Sequence, residues 1–135
     1  MTLSFKQQFK EKILNGSKIH TIREDKSNRW KAGNIIHFAT GVRTKSYECF
    51  ATGKCVSVQE IEIIRVSDYA NETIIKVDER ALPFEEIQKL AWNDGFHHIL
   101  EFWLWFNRDF KGKIIHWTDF KYGGYENQNL PDLQN

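Results

Sequence analysis

The run from His97 to Asn107 limits the possible folds more than any other stretch. It holds Ile99, Leu100, Phe102, Trp103, Leu104, Trp105 and Phe106. A segment this apolar has to be largely buried or to face a partner. A chain of 135 residues can bury one sizeable core but not two. The run therefore reads as a helix laid against that single core. Its surplus aromatics, Phe102-Phe106, are available for a homodimer contact.

The rest of the chain supplies what the helix packs on. Phe5, Phe9 and Ile13 recur every four residues beside Leu14, which predicts a first helix with Ser4 as its N-cap. Asn15-Gly16 ends it, Gly16 being suited to the left-handed position after a helix. Strands are predicted over Ile19–Arg23, Ile35–Thr40, Tyr47–Val58 (with a bulge or corner at Gly53), Gln59–Val66 and Thr73–Val77. Pro83 at a first helical position, then Phe84, Ile87, Leu90 and Ala91, predicts a helix to about Asn93 that Asp94-Gly95 breaks. Gly112 ends the aromatic unit, and period-two alternation from Ile114 to Lys121 gives a last strand. Residues 1–122 read as one domain. Residues 123–135, rich in Asn and Gln, read as a flexible C-terminal tail. Pattern alone goes as far as α+β.

The stretch with the most chemistry is Gly16-Ser17-Lys18-Ile19-His20-Thr21-Ile22-Arg23. Alternate side chains of a strand share a face. Thr21 and Arg23 should point one way, with Lys18 swung in from the turn after Gly16. An amine, a hydroxyl and a fixed cation on one spot could accept a proton, attack a carbonyl and hold an anion. The same three on a solvated strand face are common, and spacing alone favours that plainer reading.

Gly16, Lys18 and Arg23 fit the G-x-K-x-x-E-x-R signature of ASCH domains, and from about Phe5 to Tyr122 the chain resembles that family. The resemblance implies a small, mostly antiparallel PUA-like β-barrel with two or three helices covering one side, the aromatic helix plugging its open face. Thr21 stands where most of the family has Glu. The form K-x-x-T-I-R is similar to one branch, the bacterial acetylcytidine amidohydrolases. By that likeness Lys18, Thr21 and Asp94 are catalytic. Thr21 attacks an acyl amide or holds the water that does, Lys18 takes the proton, and Asp94 protonates the leaving amine. Asp94 departs from the branch, whose acid is Glu, by one C–C bond of reach, about 1.5 Å. Equally, Asp94 can simply terminate a helix beside Gly95, and Glu85, Glu86 and Glu101 are other candidate acids. Arg23, Trp30 and Lys31 are substrate-binding candidates, Trp30 either stacking on a base at the cleft mouth or anchoring its loop. The alternative to catalysis is a non-catalytic RNA- or nucleotide-binding PUA-like module gripping phosphate and base with the same residues. The expected partner is a modified nucleoside or single-stranded RNA.

Charge is unevenly spread. Residues 1–31 carry eight Lys/Arg against three Asp/Glu, and residues 66–110 carry four against nine. A basic face beside the motif suits a phosphate-bearing partner. No cofactor motif is present, and no Cys-x-x-Cys or His-x-x-x-His spacing points to a metal. His97 and His98 are adjacent, while His20, His37 and His116 stand alone on strands. Cys49 and Cys55 read as small reduced core residues. No stretch is long and apolar enough to span a membrane, and the N-terminus lacks signal-peptide features, so the expected location is cytoplasmic.

Overall fold

Thr2, Leu3, Ser4 and Phe5 alternate exposed and buried in the computed structural model, which describes residues 1–66 and 72–123. They form strand β1 (Thr2–Phe5), paired in parallel with β3 (Ile35–Thr40), Leu3 opposite Phe38 and Phe5 opposite Thr40. This corrects the expected first helix. The edge of β3 takes Ser4 and Phe5 into a ladder, so Ser4 is no N-cap. A 3₁₀ turn (Gln7–Phe9) and a short helix α1 (Lys10–Leu14) follow. Phe5 and Phe9 both reach the core, but from a strand and a turn, and Leu14 is left exposed.

β4 (Glu48–Lys54) pairs antiparallel with β3 and completes a three-stranded sheet, β1-β3-β4. Its irregularity is at Phe50, skipped between the Phe38–Ala51 and Ala39–Cys49 pairs, and not at Gly53. Gly53 pairs with Ile36, and a Cβ there would lie 3.0 Å from the Phe38 ring, so this glycine makes room for an aromatic. Cys55 is buried but Cys49 is exposed, a correction to its expected core place.

The second sheet runs β2-β8-β5-β6-β7 and is antiparallel throughout. Its strands are β2 (His20–Arg23), β5 (Ser57–Arg65), β6 (Thr73–Val77), β7 (Arg80–Ala81) and β8 (Phe110–His116). Ile61 and Ile63 of β5 and Ile75 and Val77 of β6 are buried, and so are Ile114 and Ile115 of β8, which as neighbours in a strand cover its two opposite faces. The last strand starts four residues before the expected Ile114 and stops at His116. Gly112 does not end the preceding unit but sits inside β8 opposite Ile61, against the backbone carbonyl of Arg23.

Helix α2 (Phe84–Asn93), with Pro83 at the N-cap, buries Ile87, Leu90 and Ala91. Helix α3 (Ile99–Trp105) is shorter than its apolar run. Phe102, Trp103 and the following Phe106 are buried inside the protein, while Leu100, Leu104 and Trp105 stay exposed. Three of the aromatics expected at a homodimer contact are therefore used by the chain itself. The fold is α+β with three helices and mostly antiparallel sheets, and among the described residues no ladder closes the two sheets into one. No helix among the described residues is long and apolar enough to cross a membrane. Residues 124–135 of the expected tail lie outside the described residues.

Gly112→Ala is expected to lower stability by about 1–3 kcal/mol in a denaturant titration, because the added methyl meets the Arg23 carbonyl and the Phe110 ring. Gly53→Ala, which meets only the edge of one ring, should be the milder change.

Candidate functional site

A helix leaves its last carbonyls without partners. At the end of α2 they are met by the segment that leads into β2. Asn93 C=O accepts from the Ile19 N–H at 2.9 Å. Asp94 C=O accepts from Lys18 Nζ at 2.5 Å, and Gly95 C=O from Lys12 Nζ at 2.5 Å. The helix stops in a Schellman turn, with Gly95 N–H donating to Trp92 C=O and Phe96 N–H to Ala91 C=O. Gly95 has φ +98°, and a Cβ there would lie 2.9 Å from the Phe9 ring and 3.0 Å from Lys18 Cδ. Glycine is thus required twice, for the turn and for the passage of the Lys18 stem. The turn carries the Asp94 carboxylate inward, and its Oδ1 takes Lys18 Nζ at 3.0 Å.

Lys18 is 2% exposed. Its ammonium lies 4.9 Å from the centroid of the Phe9 ring and 5.7 Å from that of Phe5. Burial pushes its pKa below the ordinary lysine range. The charge and hydrogen bond of Asp94 work against this, and the Arg23 and Lys12 charges work with it. Thr21 and Arg23 share a face of β2, and Arg23 Nε donates to Thr21 Oγ1 at 3.2 Å. Arg23 Nη2 donates to the Ser4 carbonyl at 2.6 Å, and the guanidinium covers the Phe5 ring at 4.9 Å. Lys18, Thr21, Arg23 and Asp94 all line one cavity of about 390 Å³, whose walls include Phe5, Phe9, Phe96 and Trp105. The cavity thus joins a desolvated amine, a hydroxyl with a lone pair already engaged, and a cation.

Trp30 and Lys31 are not part of it. The Asp25 carboxylate gathers the loop around itself, accepting from the Arg29 N–H at 2.9 Å, the Trp30 N–H at 2.8 Å and Lys113 Nζ at 3.1 Å. Lys113 also bonds to Asn28. This folds the Trp30 ring into the core, and Lys31 is exposed elsewhere. Glu86 is held by Arg80 at 2.9 Å and does not line the cavity. Among the described residues, no three His, Cys, Asp or Glu are grouped as metal ligands would be.

Sequence reasoning missed a second layer behind Asp94. His20 Nδ1 lies 3.3 Å from Asp94 Oδ1, and His20 Nε2 lies 2.7 Å from the Tyr122 hydroxyl. Asn93 Nδ2 donates to the same hydroxyl at 3.2 Å. Gln59 clamps the Tyr122 backbone, accepting its N–H at 2.9 Å and donating to its C=O at 2.8 Å, while His116 Nε2 reaches Gln59 Oε1 at 2.9 Å. Period two places His20 on the face of β2 opposite Thr21 and Arg23, turned inward, and that signal was available. Nothing in the sequence marked Tyr122, which lies beyond the last strand.

No protein-family model, curated protein or solved structure matches the chain.

Burial lowers the pKa of His20, and burial with the His20 and Lys121 charges lowers that of His116 to about 3. In the unfolded chain both titrate near 6.5. Below about pH 6.5 the unfolded state therefore binds more protons than the folded one, and stability falls with pH. Denaturant midpoints should drop as pH is lowered from about 6.5 to 5, by up to about 1.4 kcal/mol per pH unit for each histidine. His116→Gln, which retains a donor to Gln59, should remove part of that slope.

Proposed function

We propose that the chain is an ASCH-type amidohydrolase that removes an acyl group from the exocyclic amine of a modified nucleoside such as acetylcytidine. Its two sheets would correspond to an incompletely closed PUA-like barrel. One observation carries the reading: an amine stripped of water, Lys18, opens onto the same cavity as the Thr21 hydroxyl and the Arg23 guanidinium.

The chemistry requires a neutral amine. At a pKa of about 10.4, roughly one lysine in 2,500 is neutral at pH 7. Burial and the neighbouring cations move Lys18 in the required direction, against the pull of Asp94. Thr21 Oγ1 accepts from Arg23, which leaves its own hydrogen to give. Oγ1 adds to the amide carbonyl carbon as that proton passes to Lys18 Nζ. The carbonyl oxygen becomes an anion, held by N–H donors of Arg23 not directed at Ser4 or Thr21. When the C–N bond breaks, the Lys18 ammonium returns the proton to the departing nitrogen. Water then cleaves the Thr21 ester, with Lys18 again the base. Asp94 takes a different part from the acid first expected of it. Its carboxylate already accepts from Lys18 and faces His20, so it anchors the base while Lys18 returns the proton. The rings of Phe5, Phe9, Phe96 and Trp105 give a flat base apolar walls.

The test is loss of the acetyl-amide absorbance of acetylcytidine over about pH 6 to 9. Thr21→Val should keep the fold and lower turnover by about 10²–10⁴-fold, since valine has no hydroxyl; Lys18→Arg, read per folded molecule because Lys18 also caps α2, should lower it as far, since guanidinium cannot act as a base. Absence of turnover in the wild type, with salt-sensitive single-stranded RNA binding that Lys18→Ala and Arg23→Ala abolish, would establish the binding module instead.

A further inference from the structure

Tyr122 lies beyond the last strand, yet it is 5% exposed and its hydroxyl reaches a strand side chain 102 positions earlier. The donors and acceptors around it admit one consistent arrangement. An ionised Asp94 carboxylate can only accept. It receives Lys18 Nζ, so His20 Nδ1, facing the same oxygen at 3.3 Å, has to be the protonated nitrogen. Burial keeps His20 neutral, so its Nε2 carries a lone pair. The Tyr122 hydroxyl at 2.7 Å must then donate to it, and the phenol oxygen is free to accept from Asn93 Nδ2 at 3.2 Å. The chain runs Asn93 to Tyr122 to His20 to Asp94, with Lys18 donating from the other side.

We propose that Tyr122 is a positioning residue for the site: by donating to His20 Nε2 it holds and polarises the imidazole whose Nδ1–H orients the Asp94 carboxylate that holds Lys18. Gln59 enforces this role. Its amide clamps both the N–H and the C=O of Tyr122 and is itself fixed by Asp78 Oδ2 at 2.9 Å and by His116. Without the phenol, His20 Nε2 would have no buried donor. The ring would keep Nδ1–H toward the carboxylate but, unheld and unpolarised at Nε2, would be a weaker donor to it. Asp94, with that donor weakened, would draw more strongly on the Lys18 proton. The other charged groups near Lys18, Arg23 and Lys12, are held by Ser4, Thr21 and Gly95 and are untouched by that change.

The role rests on the reading of Lys18 as the base, but its test does not depend on turnover. Lys18 is titrated by NMR in free, isotopically lysine-labelled protein, its signal identified by its loss in Lys18→Met. Tyr122→Phe should raise the Lys18 midpoint by about half a pH unit or more. His20→Asn places an amide donor near the Nδ1 position that does not depend on the phenol. It should keep the Lys18 midpoint near that of the wild type, and adding Tyr122→Phe to it should move nothing further. An unmoved midpoint in folded Tyr122→Phe, or the same shift in the His20→Asn background, overturns the proposal. If Tyr122→Phe does not fold, protein made with 3-fluorotyrosine decides, because the more acidic phenol should lower the midpoint and an unchanged one overturns the role. A shifted midpoint without amide hydrolysis would leave Tyr122 in place and remove the amidohydrolase reading. Hydrolysis with an unshifted midpoint would do the reverse.

Discussion

The end of helix α2 is where this structure is held together. Three successive carbonyls, on Asn93, Asp94 and Gly95, receive the Ile19 amide and the Lys18 and Lys12 amines. A helix C-terminus carries partial negative charge, and cations are favoured beside it. The contact therefore satisfies the last carbonyl of α2 and the two that follow it, and it ties the end of the helix to the segment that leads into β2. It also brings the motif segment and Asp94, which lines the cavity, to one point. Any movement of α2 along its axis would break all three bonds together, so the geometry of the cavity is tied to the docking of the helix.

Behind that contact the protein buries an unusual amount of polar chemistry for its size. Lys18, His20, Asn93, Asp94 and Tyr122 are nearly or fully excluded from solvent and bonded to one another. A buried ion pair is a poor source of stability. Apolar side chains of similar volume often do as well, whereas removing one partner costs about 3–5 kcal/mol. Packing alone gives no reason for a lysine between two phenylalanine rings above a carboxylate. Such local departures from what would stabilise a core best are expected at functional sites. The structural share is real all the same, since Lys18 also caps α2, and a substitution there acts on both stability and chemistry.

The walls of the cavity are stiff because their rings lean on other rings. Phe9 meets Phe96 and Trp105 edge-on at 5.6 and 5.5 Å, and Phe96 continues to Phe102 at 5.7 Å. On the side of the first sheet, Phe5 stacks on Phe38 at 6.0 Å, with Trp117 edge-on to both. These contacts hold the apolar surface around Lys18 in place, and that surface is what keeps water from the amine.

The amino-acid sequence by itself determined strands β2 to β6 to within a few residues, the place where α2 stops, and the fact that Lys18, Thr21 and Arg23 belong to one stretch. These are local matters: period-two alternation, a glycine that can take a positive φ, and side chains two or three positions apart. It misled where a local pattern fitted two elements. Phe5 has helical spacing to Phe9 but is taken by a parallel strand. For Trp30 the sequence left base stacking and loop anchor open, and the bonds to Asp25 turn it inward. Only the tertiary structure decided what Lys18 meets. Asp94 lies 76 positions away in sequence, and Tyr122 lies 102 positions from His20. Periodicity reports that a side chain is buried, not what it is buried against. The partner of a buried charge is fixed by strand register and helix docking, and these belong to the whole fold.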